Sequence, residues 1–441
     1  MDTIIAPATA PGKAALAVIR VSGPAAQPMT QTLLERPIPW IPQRATLVRL
    51  WDRGEFLDQA VLVYWKKPHS FTGEDVVEIS CHGSPYIVQK MVAAYIARGA
   101  RFALPGEFTQ RAFLHGKLDL TQAEAIHEII QAQTPAALEG ALGIHQGKLR
   151  NKIVQLRERL LGIVAHLEAY VDFPDEDVPP LVQKELEEAL DCLEQELEAL
   201  LRTAPVGKIL REGVVTAIVG APNVGKSSLF NALLREDRAI VSPIPGTTRD
   251  TIETECQLGG FCLRLVDTAG RRKTDDWIEQ EGVRRAEAAL AQADLVLYVI
   301  VAPEPEPEEV RRLLPPPGKV WLVVANKCDL GIHPDHRDRI CVSALTGQGL
   351  DRLQEEIVRQ LTGGLALAKE GWITINPRHE GLLRRAQEGL QRARTAWQEG
   401  ASLELVSVDL RESLQALGEV IGLGCREEIL DEVFRRFCIG K

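Results

Sequence analysis

The residues that most clearly carry chemistry lie in a glycine-rich segment, GAPNVGKSS, which begins at Gly220. Gly220 and Gly225 let backbone N–H groups approach phosphates closely. Lys226 adds positive charge for the β- and γ-phosphates, and Ser227 offers a hydroxyl group to Mg²⁺. An apolar run at residues 214–219 precedes the segment and a helical pattern at 228–234 follows it, as a phosphate loop requires. The spacing G-x-x-x-x-G-K-[ST] therefore predicts a nucleoside triphosphate site.

Four further motifs follow along the chain. GTTRD (246–250) supplies Thr248, which would complete Mg²⁺ coordination and sense the γ-phosphate, and DTAG (267–270) would place an acidic residue near the metal. In NKCD (326–329), Asp329 can accept both N1–H and N2–H₂ of guanine, which adenine cannot reproduce, and SAL (343–345) completes the base pocket. Together the five motifs resemble the guanine-nucleotide-binding G domain. The residues expected to contact GTP are Gly220, Asn223, Val224, Gly225, Lys226, Ser227, Ser228, Ser242, Pro243, Ile244, Pro245, Gly246, Thr247, Thr248, Asp267, Thr268, Ala269, Gly270, Asn326, Lys327, Cys328, Asp329, Ser343, Ala344 and Leu345.

Hydrolysis also needs a group that orients water. In Ras-like switches the residue after DTAG is a glutamine with this role, but here it is Arg271. Glu279, in TDDWIEQEG, is a candidate carboxylate for holding the water, with a solvated helix charge as the alternative. Asn223, with the carbonyls of Ser242 and Ile244, is a candidate site for a monovalent cation near the phosphates, with an ordinary turn asparagine as the alternative. Such a cation would act where an arginine finger usually does.

Changing periodicity divides the chain into segments that would position these motifs. Short β-rich runs separated by Gly and Pro indicate an α+β domain. Apolar stripes at helical spacing follow and predict a helix bundle, because neither stripe can be buried alone. Strand–helix alternation then predicts a parallel α/β sheet, and helical periodicity returns to the end. We expect an α+β domain at 1–118, a helical domain at 119–211, a G domain at 212–364 and a second helical part at 365–441.

Individual runs support this division. Strands are predicted at 15–21, 60–65, 75–79, 214–219, 261–266, 295–302 and 320–325. The two helical stripes are Leu149, Ile153, Leu156, Leu160, Ile163 and Leu167, and then Leu186, Leu190, Leu193, Leu197 and Leu200. The economical interpretation is one helical domain into which the G domain is inserted. Two unrelated helical domains are the alternative.

Composition limits the classes of protein. The 441 residues carry 51 Lys and Arg against 61 Asp and Glu, a net charge of −10. Nucleic acid would therefore bind only through a local basic patch or a partner. The eight cysteines show no CxxC or zinc spacing, which favours reduced thiols. No apolar run reaches the ~18 residues of a membrane span, and the N-terminal residues lack a secretory signal, so we expect a cytoplasmic protein without a membrane anchor.

Three N-terminal blocks and the tail add a more specific resemblance. DTIIAPATAPGKAALAVIRVSGP, SFTGEDVVEISCHG, PGEFTQRAFLHGKLDLTQAEAI and the ending FCIGK, with the G domain, resemble the MnmE (TrmE) family of tRNA-modification GTPases along essentially the whole chain. The resemblance implies a folate-binding-like N-terminal domain that mediates homodimerisation, and a helical domain split by the inserted G domain. It implies G domains that pair when GTP and K⁺ are present. It assigns K⁺ to Asn223, Ser242, Ile244 and Thr247, Mg²⁺ to Ser227 and Thr248, and catalysis to Glu279 with Lys226 and Thr248.

The same resemblance implies a one-carbon site and a partner. A tetrahydrofolate derivative, 5-formyl- or 5,10-methylene-tetrahydrofolate, would be held at the matching positions Arg20, Glu78, Lys117 and Lys441, with Cys438 close by. Family members add an aminomethyl or carboxymethylaminomethyl group to C5 of the wobble uridine of certain tRNAs. They act with MnmG (GidA), an FAD-containing protein, in a heterotetramer. This chain departs from the family at Arg271, where a hydrophobic residue is usual, and at Ser84 in HGSP, where a second glycine is usual.

Other functions remain open at this point. An RNA-binding ribosome-assembly GTPase would usually carry a KH-like module, but the nearest candidate, VIGLGC at 420–425, has Gly-x-Gly instead of GXXG. A folate-dependent methyltransferase with a regulatory G domain would act without a flavoprotein. Arg378, Arg384, Arg385, Arg435 and Arg436 are candidate contacts to tRNA phosphates, with solvated helix faces as the alternative.

Overall fold

The computed structural model describes residues 2–172, 183–236, 253–266, 290–312, 319–364 and 373–441. These residues form two compact units. The first contains residues 1–127, 145–190 and 385–441, and the second contains 128–144 and 191–384. Within the described residues, no helix is both long enough and apolar enough to cross a membrane.

A six-stranded mixed sheet forms the N-terminal part of the first unit. Its strands run in the order β3-β4-β5-β2-β1-β6, and all neighbours are antiparallel except the parallel pair β1–β6. Alternation along β2 buries Ala17, Ile19 and Val21 on one face, as a half-buried strand requires. The elements are β1 Ile4–Pro7, β2 Leu16–Ser22, α1 Ala26–Gln31, β3 Ala45–Asp52, β4 Glu55–Trp65, β5 Val76–His82, α2 Pro85–Ile96, β6 Arg101–Phe102 and α3 Glu107–Leu114. The three N-terminal strands predicted from the sequence are confirmed.

Long amphipathic helices lie on both sides of the G-domain sequence. Both predicted stripes are buried, except that Ile163 is only half-buried and Val164 takes its place in the core. In the first unit, the helix Lys148–Asp172 packs against the helix Leu403–Val420, which follows the G-domain sequence, and Arg411 Nε lies 2.6 Å from Glu168 Oε1 between them. The helices are α4 Leu120–Gln131, α5 Pro135–His145, α6 Lys148–Asp172, α7 Gln183–Leu201, α8 Ala204–Glu212, and after the G-domain sequence α12 Pro377–Gln398, α13 Leu403–Val420 and α14 Glu427–Arg435.

The second unit contains another six-stranded sheet, in the order β12-β11-β10-β7-β9-β8. Its elements are β7 Val214–Val219, α9 Lys226–Glu236, β8 Glu253–Leu258, β9 Phe261–Val266, β10 Leu295–Val301, α10 Glu308–Arg311, β11 Val320–Asn326, β12 Ile340–Cys341 and α11 Leu350–Leu361. The strands predicted here are confirmed, and the sheet is parallel as expected except at one edge strand that the sequence did not predict. Strand β8 runs antiparallel to β9 through a two-glycine turn, Gly259 and Gly260, with φ of 57° and 88°.

A buried network of charges fixes α3 to the N-terminal sheet. The Arg111 guanidinium donates to Glu74 Oε2 at 3.0 Å, to Glu107 Oε1 at 2.9 Å and to Asp2 Oδ1 at 2.6 Å. Hydrogen bonds from Arg101, together with those from Arg111, lower the pKa of Asp2 from 3.8 to about 2. Because this pKa is depressed in the folded protein, the Asp2 contribution to stability is present above pH 3.8 and is lost as the pH falls towards about 2.

We expect Arg111→Leu to lower the free energy of unfolding by about 3–5 kcal/mol, because the buried Glu74 would lose its cation and the buried Glu107 would keep only Arg101. Urea unfolding near neutral pH, followed by tryptophan fluorescence, measures this loss. Arg49→Leu is the control, because the Arg49 side chain is 60% exposed and its pair with Glu35 is 3.8 Å long. Its loss should stay below about 1 kcal/mol. Equal destabilisation by both substitutions would contradict the role of the buried network.

Candidate functional site

The glycine-rich segment forms a tight loop between β7 and α9. Gly220 and Gly225 have φ of 145° and 96°, in the region that favours glycine. A Cβ at Gly220 would collide with the Val299 carbonyl oxygen, and one at Gly225 would collide with Asn326 Nδ2. The loop can therefore keep this close approach only with glycine at both positions.

The Lys226 ammonium lies inside this loop. Its Nζ donates to the carbonyl oxygens of Gly220 at 2.9 Å and Ala221 at 2.8 Å, and burial lowers its pKa. Ser227 and Ser228 are exposed in the first turn of α9, while Val224 is buried beneath the loop. The N-terminus of α9, the Lys226 charge and the Ser227 hydroxyl are thus arranged to receive phosphates and a divalent cation.

Asn326 joins the phosphate loop to the base-recognition motifs. Its Nδ2 donates to the Val224 carbonyl at 2.9 Å, and its Oδ1 accepts from the Ala344 N–H at 3.1 Å. Lys327 Nζ donates to the Asn223 carbonyl at 2.8 Å. One amide thus holds NKCD, SAL and the phosphate loop together.

The side chains around Asn326 differ in exposure. Asp329 and Leu345 are exposed, Cys328 and Ser343 are buried, and Ser343 Oγ accepts from the Thr346 N–H at 3.2 Å. Asp329 is therefore accessible to a ligand from outside the protein. The buried pair supports the loop, and burial raises the pKa of the Cys328 thiol.

Several predicted site residues lie outside the described residues. They are Ser242, Pro243, Ile244, Pro245, Gly246, Thr247 and Thr248, then Asp267, Thr268, Ala269, Gly270 and Arg271, and the candidate catalytic Glu279. Their assignments stay predictions.

A second cluster of charged side chains lies on the N-terminal sheet. Arg20 and Glu78 face each other on β2 and β5, and Glu78 Oε1 accepts from Arg20 Nε at 2.9 Å and from Nη2 at 2.8 Å. The guanidinium lies 5.3 Å from the Phe71 ring centroid and 5.6 Å from that of Phe108. Trp65 Nε1 donates to Glu78 Oε2 at 3.2 Å. The carboxylate is thus oriented by Arg20 on one oxygen and by Trp65 on the other.

The C-terminal residues pack beside this pair. The carbonyl oxygen of Lys441 accepts from the Phe108 N–H at 3.2 Å, and that of Gly440 lies 3.5 Å from Arg20 Nη1. Burial lowers the pKa of the Lys441 ammonium, and the nearby Arg20 charge lowers it further. Cys438 is exposed. The structure thus brings together Arg20, Glu78, Lys441 and Cys438, which sequence resemblance selected from opposite ends of the chain.

Lys117 joins this cluster indirectly. Its Nζ donates to the Pro68 carbonyl at 2.9 Å, in the loop that leads from Trp65 to Phe71. Trp65, Phe71 and Phe108 were missed by the sequence analysis. No sequence motif marks these aromatic residues. They contact Arg20 or Glu78, which lie elsewhere in the sequence.

The remaining sequence hypotheses have simpler structural accounts. Ser84 has φ of −88°, a conformation open to any residue, so its replacement of the usual glycine leaves the turn unstrained. Four of the candidate RNA-binding arginines form ion pairs with carboxylates of this chain. The pairs are Arg384 with Glu380 at 2.7 Å, Arg385 with Glu419 at 2.9 Å, Arg435 with Glu432 at 3.8 Å and Arg436 with Glu432 at 3.1 Å. These charges are already partly neutralised, which weakens the case for phosphate contacts.

Asn326 of NKCD holds this motif to the phosphate loop and to SAL, at the carboxyl ends of parallel strands. This arrangement defines a GTPase of the P-loop class. Two family models match the chain: the GTP-binding protein TrmE N-terminus over residues 3–117 and the MnmE helical domain over residues 120–438. The chain therefore belongs to the MnmE family of tRNA modification GTPases.

Curated relatives agree along their whole length. The tRNA modification GTPase MnmE of Aquifex aeolicus is 45% identical, with 100% of both chains covered, and that of Moorella thermoacetica is 44% identical, with 100% of this chain and 99% of the relative covered. A crystal structure of Era with MgGDPNP and nucleotides of 16S ribosomal RNA is 32% identical over 40% of this chain and 65% of that chain. Its TM-score of 0.26 is too low to support an argument about function.

Proposed function

We propose that this GTPase, stimulated by K⁺ and acting with an MnmG-type flavoprotein, modifies C5 of the wobble uridine of certain tRNAs. The product would carry an aminomethyl or carboxymethylaminomethyl group, with its one-carbon unit from tetrahydrofolate. The observation that carries the proposal is the packing of the C-terminal CIGK residues against Arg20 and Phe108. It supports the proposal because the tail, one of the most family-specific segments of the chain, contacts Arg20, a proposed folate residue. A tRNA substrate implies action in the cytoplasm.

In the G domain, we assign Mg²⁺ to Ser227 and Thr248 and K⁺ to Asn223, Ser242, Ile244 and Thr247. Ser227 fits its role, because its hydroxyl is exposed beside Lys226 in the first turn of α9. Asn223 fits as well: it is exposed, with φ of 64°, at the outer edge of the phosphate loop. Glu279 would hold the attacking water, while Lys226 and Thr248 stabilise charge on the γ-phosphate.

At the one-carbon site, we assign Arg20, Glu78, Lys117 and Lys441 to the folate. Tetrahydrofolate supplies the one-carbon unit when bound. Glu78 can accept paired N–H groups from the pterin because its carboxylate is held in place by Arg20 and Trp65. Burial lowers the pKa of Lys441 because the charged ammonium is poorly solvated there. A ligand carboxylate or oxygen that approaches Lys441 would therefore stabilise its charged form. The exposed Cys438 side chain is close enough to the Lys441 ammonium to interact with it electrostatically.

A homodimer through the N-terminal sheet is supported by the character of its open face. Leu47, Val61, Ser80 and Val18 are successive register partners across β3, β4, β5 and β2. Leu16, on the same face, is 63% exposed and Leu47 is 64% exposed. Arg20 and Glu78 lie two residues further along this face, so a partner that covers it would also enclose the folate site.

The domain organisation belongs to the same proposal. We place the N-terminal domain at 1–118, the helical domain at 119–211 and 365–441, and the G domain at 212–364 as an insertion. The packing of α6 against α13 supports an insertion, because these helices lie on opposite sides of the G-domain sequence. The segment at 420–425 has Gly-x-Gly instead of the GXXG of a KH loop, and Gly422 packs against Phe113, where a Cβ would lie 2.7 Å from the ring.

Two measurements on the full chain test the proposal. GTP hydrolysis is measured in K⁺ and in Na⁺ buffer at several protein concentrations. We expect clear stimulation by K⁺ that grows with protein concentration, because G-domain pairing is required. Wobble-uridine modification is then measured with and without the flavoprotein, with tRNA and methylene-tetrahydrofolate. Hydrolysis that ignores the cation would remove the K⁺ assignment, and modification without the flavoprotein would favour a folate-dependent methyltransferase.

A further inference from the structure

A short basic loop connects the two aromatic residues that flank the Arg20–Glu78 pair. It starts after Trp65, which donates to Glu78, and ends at Phe71, which lies against the Arg20 guanidinium. The loop therefore leaves the folate site and returns to it within a few residues. Lys66 and Lys67 lie on it, and both are exposed.

A third lysine is fixed to the same loop from the neighbouring α3 end. Lys117 Nζ donates to the Pro68 carbonyl at 2.9 Å. We call Lys66, Lys67 and Lys117 the basic rim. Within the described parts of the chain, the ammonium groups of Lys66 and Lys67 have neither a hydrogen-bond acceptor nor an ion-pair partner.

Acidic groups near the rim are already engaged. Asp75 Oδ1 accepts from the Tyr64 hydroxyl at 3.0 Å and from the Lys67 backbone N–H at 2.9 Å. Glu78 accepts from Arg20 and Trp65. The rim therefore offers positive charge to a ligand beside the proposed folate site.

We propose that the basic rim binds the γ-linked oligoglutamate tail of the folate cofactor, a subsite that rests on the proposed folate function. Each added glutamate brings one free α-carboxylate on a flexible extended chain. A few exposed lysines beside the pterin site suit such a ligand, because each pair adds a small, salt-sensitive contribution. An RNA would call for a broader basic surface, since its electrostatic affinity grows with the number of phosphates that Lys and Arg neutralise. The net charge of −10 also disfavours a long polyanion here.

Binding of 5-formyltetrahydrofolate in its monoglutamate and triglutamate forms tests the subsite by calorimetry on the full chain. We expect the triglutamate to bind the native protein about tenfold more tightly, with the gain falling as salt rises. The double substitution Lys66→Gln, Lys67→Gln should leave monoglutamate binding within about twofold and abolish most of the triglutamate gain. The control, Arg36→Gln with Lys208→Gln, makes the same change in net charge at exposed positions outside the rim and should keep the gain.

The outcomes separate this inference from the function on which it rests. If the native protein binds neither form, the folate function fails. If it binds both forms equally, or if the rim variant keeps the triglutamate gain, the subsite is overturned while folate binding stands. The affinity of each variant for tRNA is measured in parallel. A loss of tRNA affinity in the rim variant, with the triglutamate gain intact, would assign the rim to RNA and would also overturn the proposal.

Discussion

Asp329→Asn should change the nucleotide that this GTPase prefers. The carboxylate of Asp329 can accept both N1–H and N2–H₂ of guanine, and an amide can accept only one of them and would present a donor to the other. We expect GTP affinity to fall by at least about 100-fold, because hydrogen bonds to a charged group are lost and a polar group is left mismatched. Xanthosine triphosphate, which has a carbonyl where guanine has its amino group, should bind the variant more tightly than GTP.

Competition of the two triphosphates against a fluorescent GDP analogue measures both effects. Asp351→Asn is the matched control, because Asp351 is an exposed aspartate in the first turn of α11, outside the base motif. It should bind both nucleotides as the native chain does. An Asp329→Asn variant with unchanged preference would show that the base is read elsewhere, although Asn326 joins its motif to the phosphate loop.

The G-domain motifs were predictable because their chemistry is local in the sequence. Gly220, Gly225 and Lys226 are required by contacts within one short loop, and the structure shows the close approaches that exclude a side chain from both glycines. Asn326 comes directly after the apolar run 320–325, so its position at the carboxyl end of a buried strand could be expected as well. The role of Asn326 as a clamp between three motifs could not, because it depends on contacts with residues far away in the sequence.

Helix patterns were predictable to within one position. The stripe on α6 was assigned to Ile163, but Val164 is the buried residue. Alternating steps of three and four residues average 3.5, which is slightly less than the helical period of 3.6 residues. Over a long helix the predicted positions therefore rotate away from the buried face, and an adjacent residue becomes the buried one. Strand β8 was missed for another reason. Its sequence, ETECQL, is mostly polar, and only the two glycines after it signal a hairpin.

The folate cluster could not be derived from sequence patterns alone. Arg20 and Glu78 are single charges on two strands, and nothing in their spacing predicts that β2 and β5 pair in this register. Trp65, Phe71 and Phe108 meet them only through tertiary packing. Sequence resemblance identified the charged members, because it compares whole chains rather than local chemistry. It left out the aromatic residues that hold those charges in place.

The second large effect is expected from Gly440→Ala. Gly440 has φ of 93°, and a Cβ there would collide with the Pro7 carbonyl oxygen, so the tail should be displaced from Arg20 and Phe108. A displacement of about 1 Å at a reacting centre costs about 100-fold in rate, and we expect wobble-uridine modification to fall by at least that factor. GTP hydrolysis should stay within about twofold of the native rate, because the G-domain motifs are unchanged.

Gly424→Ala separates the collision from ordinary backbone strain. Gly424 also has a left-handed φ, of 69°, but a Cβ there would meet nothing within 4 Å. Both variants therefore incur the strain of alanine at positive φ, and only Gly440→Ala displaces the tail. Modification and 5-formyltetrahydrofolate binding are measured for both. Similar losses in the two variants would mean that strain alone explains the effect. Loss confined to Gly440→Ala, with hydrolysis retained, would mean that the docked tail serves the one-carbon site rather than the GTPase.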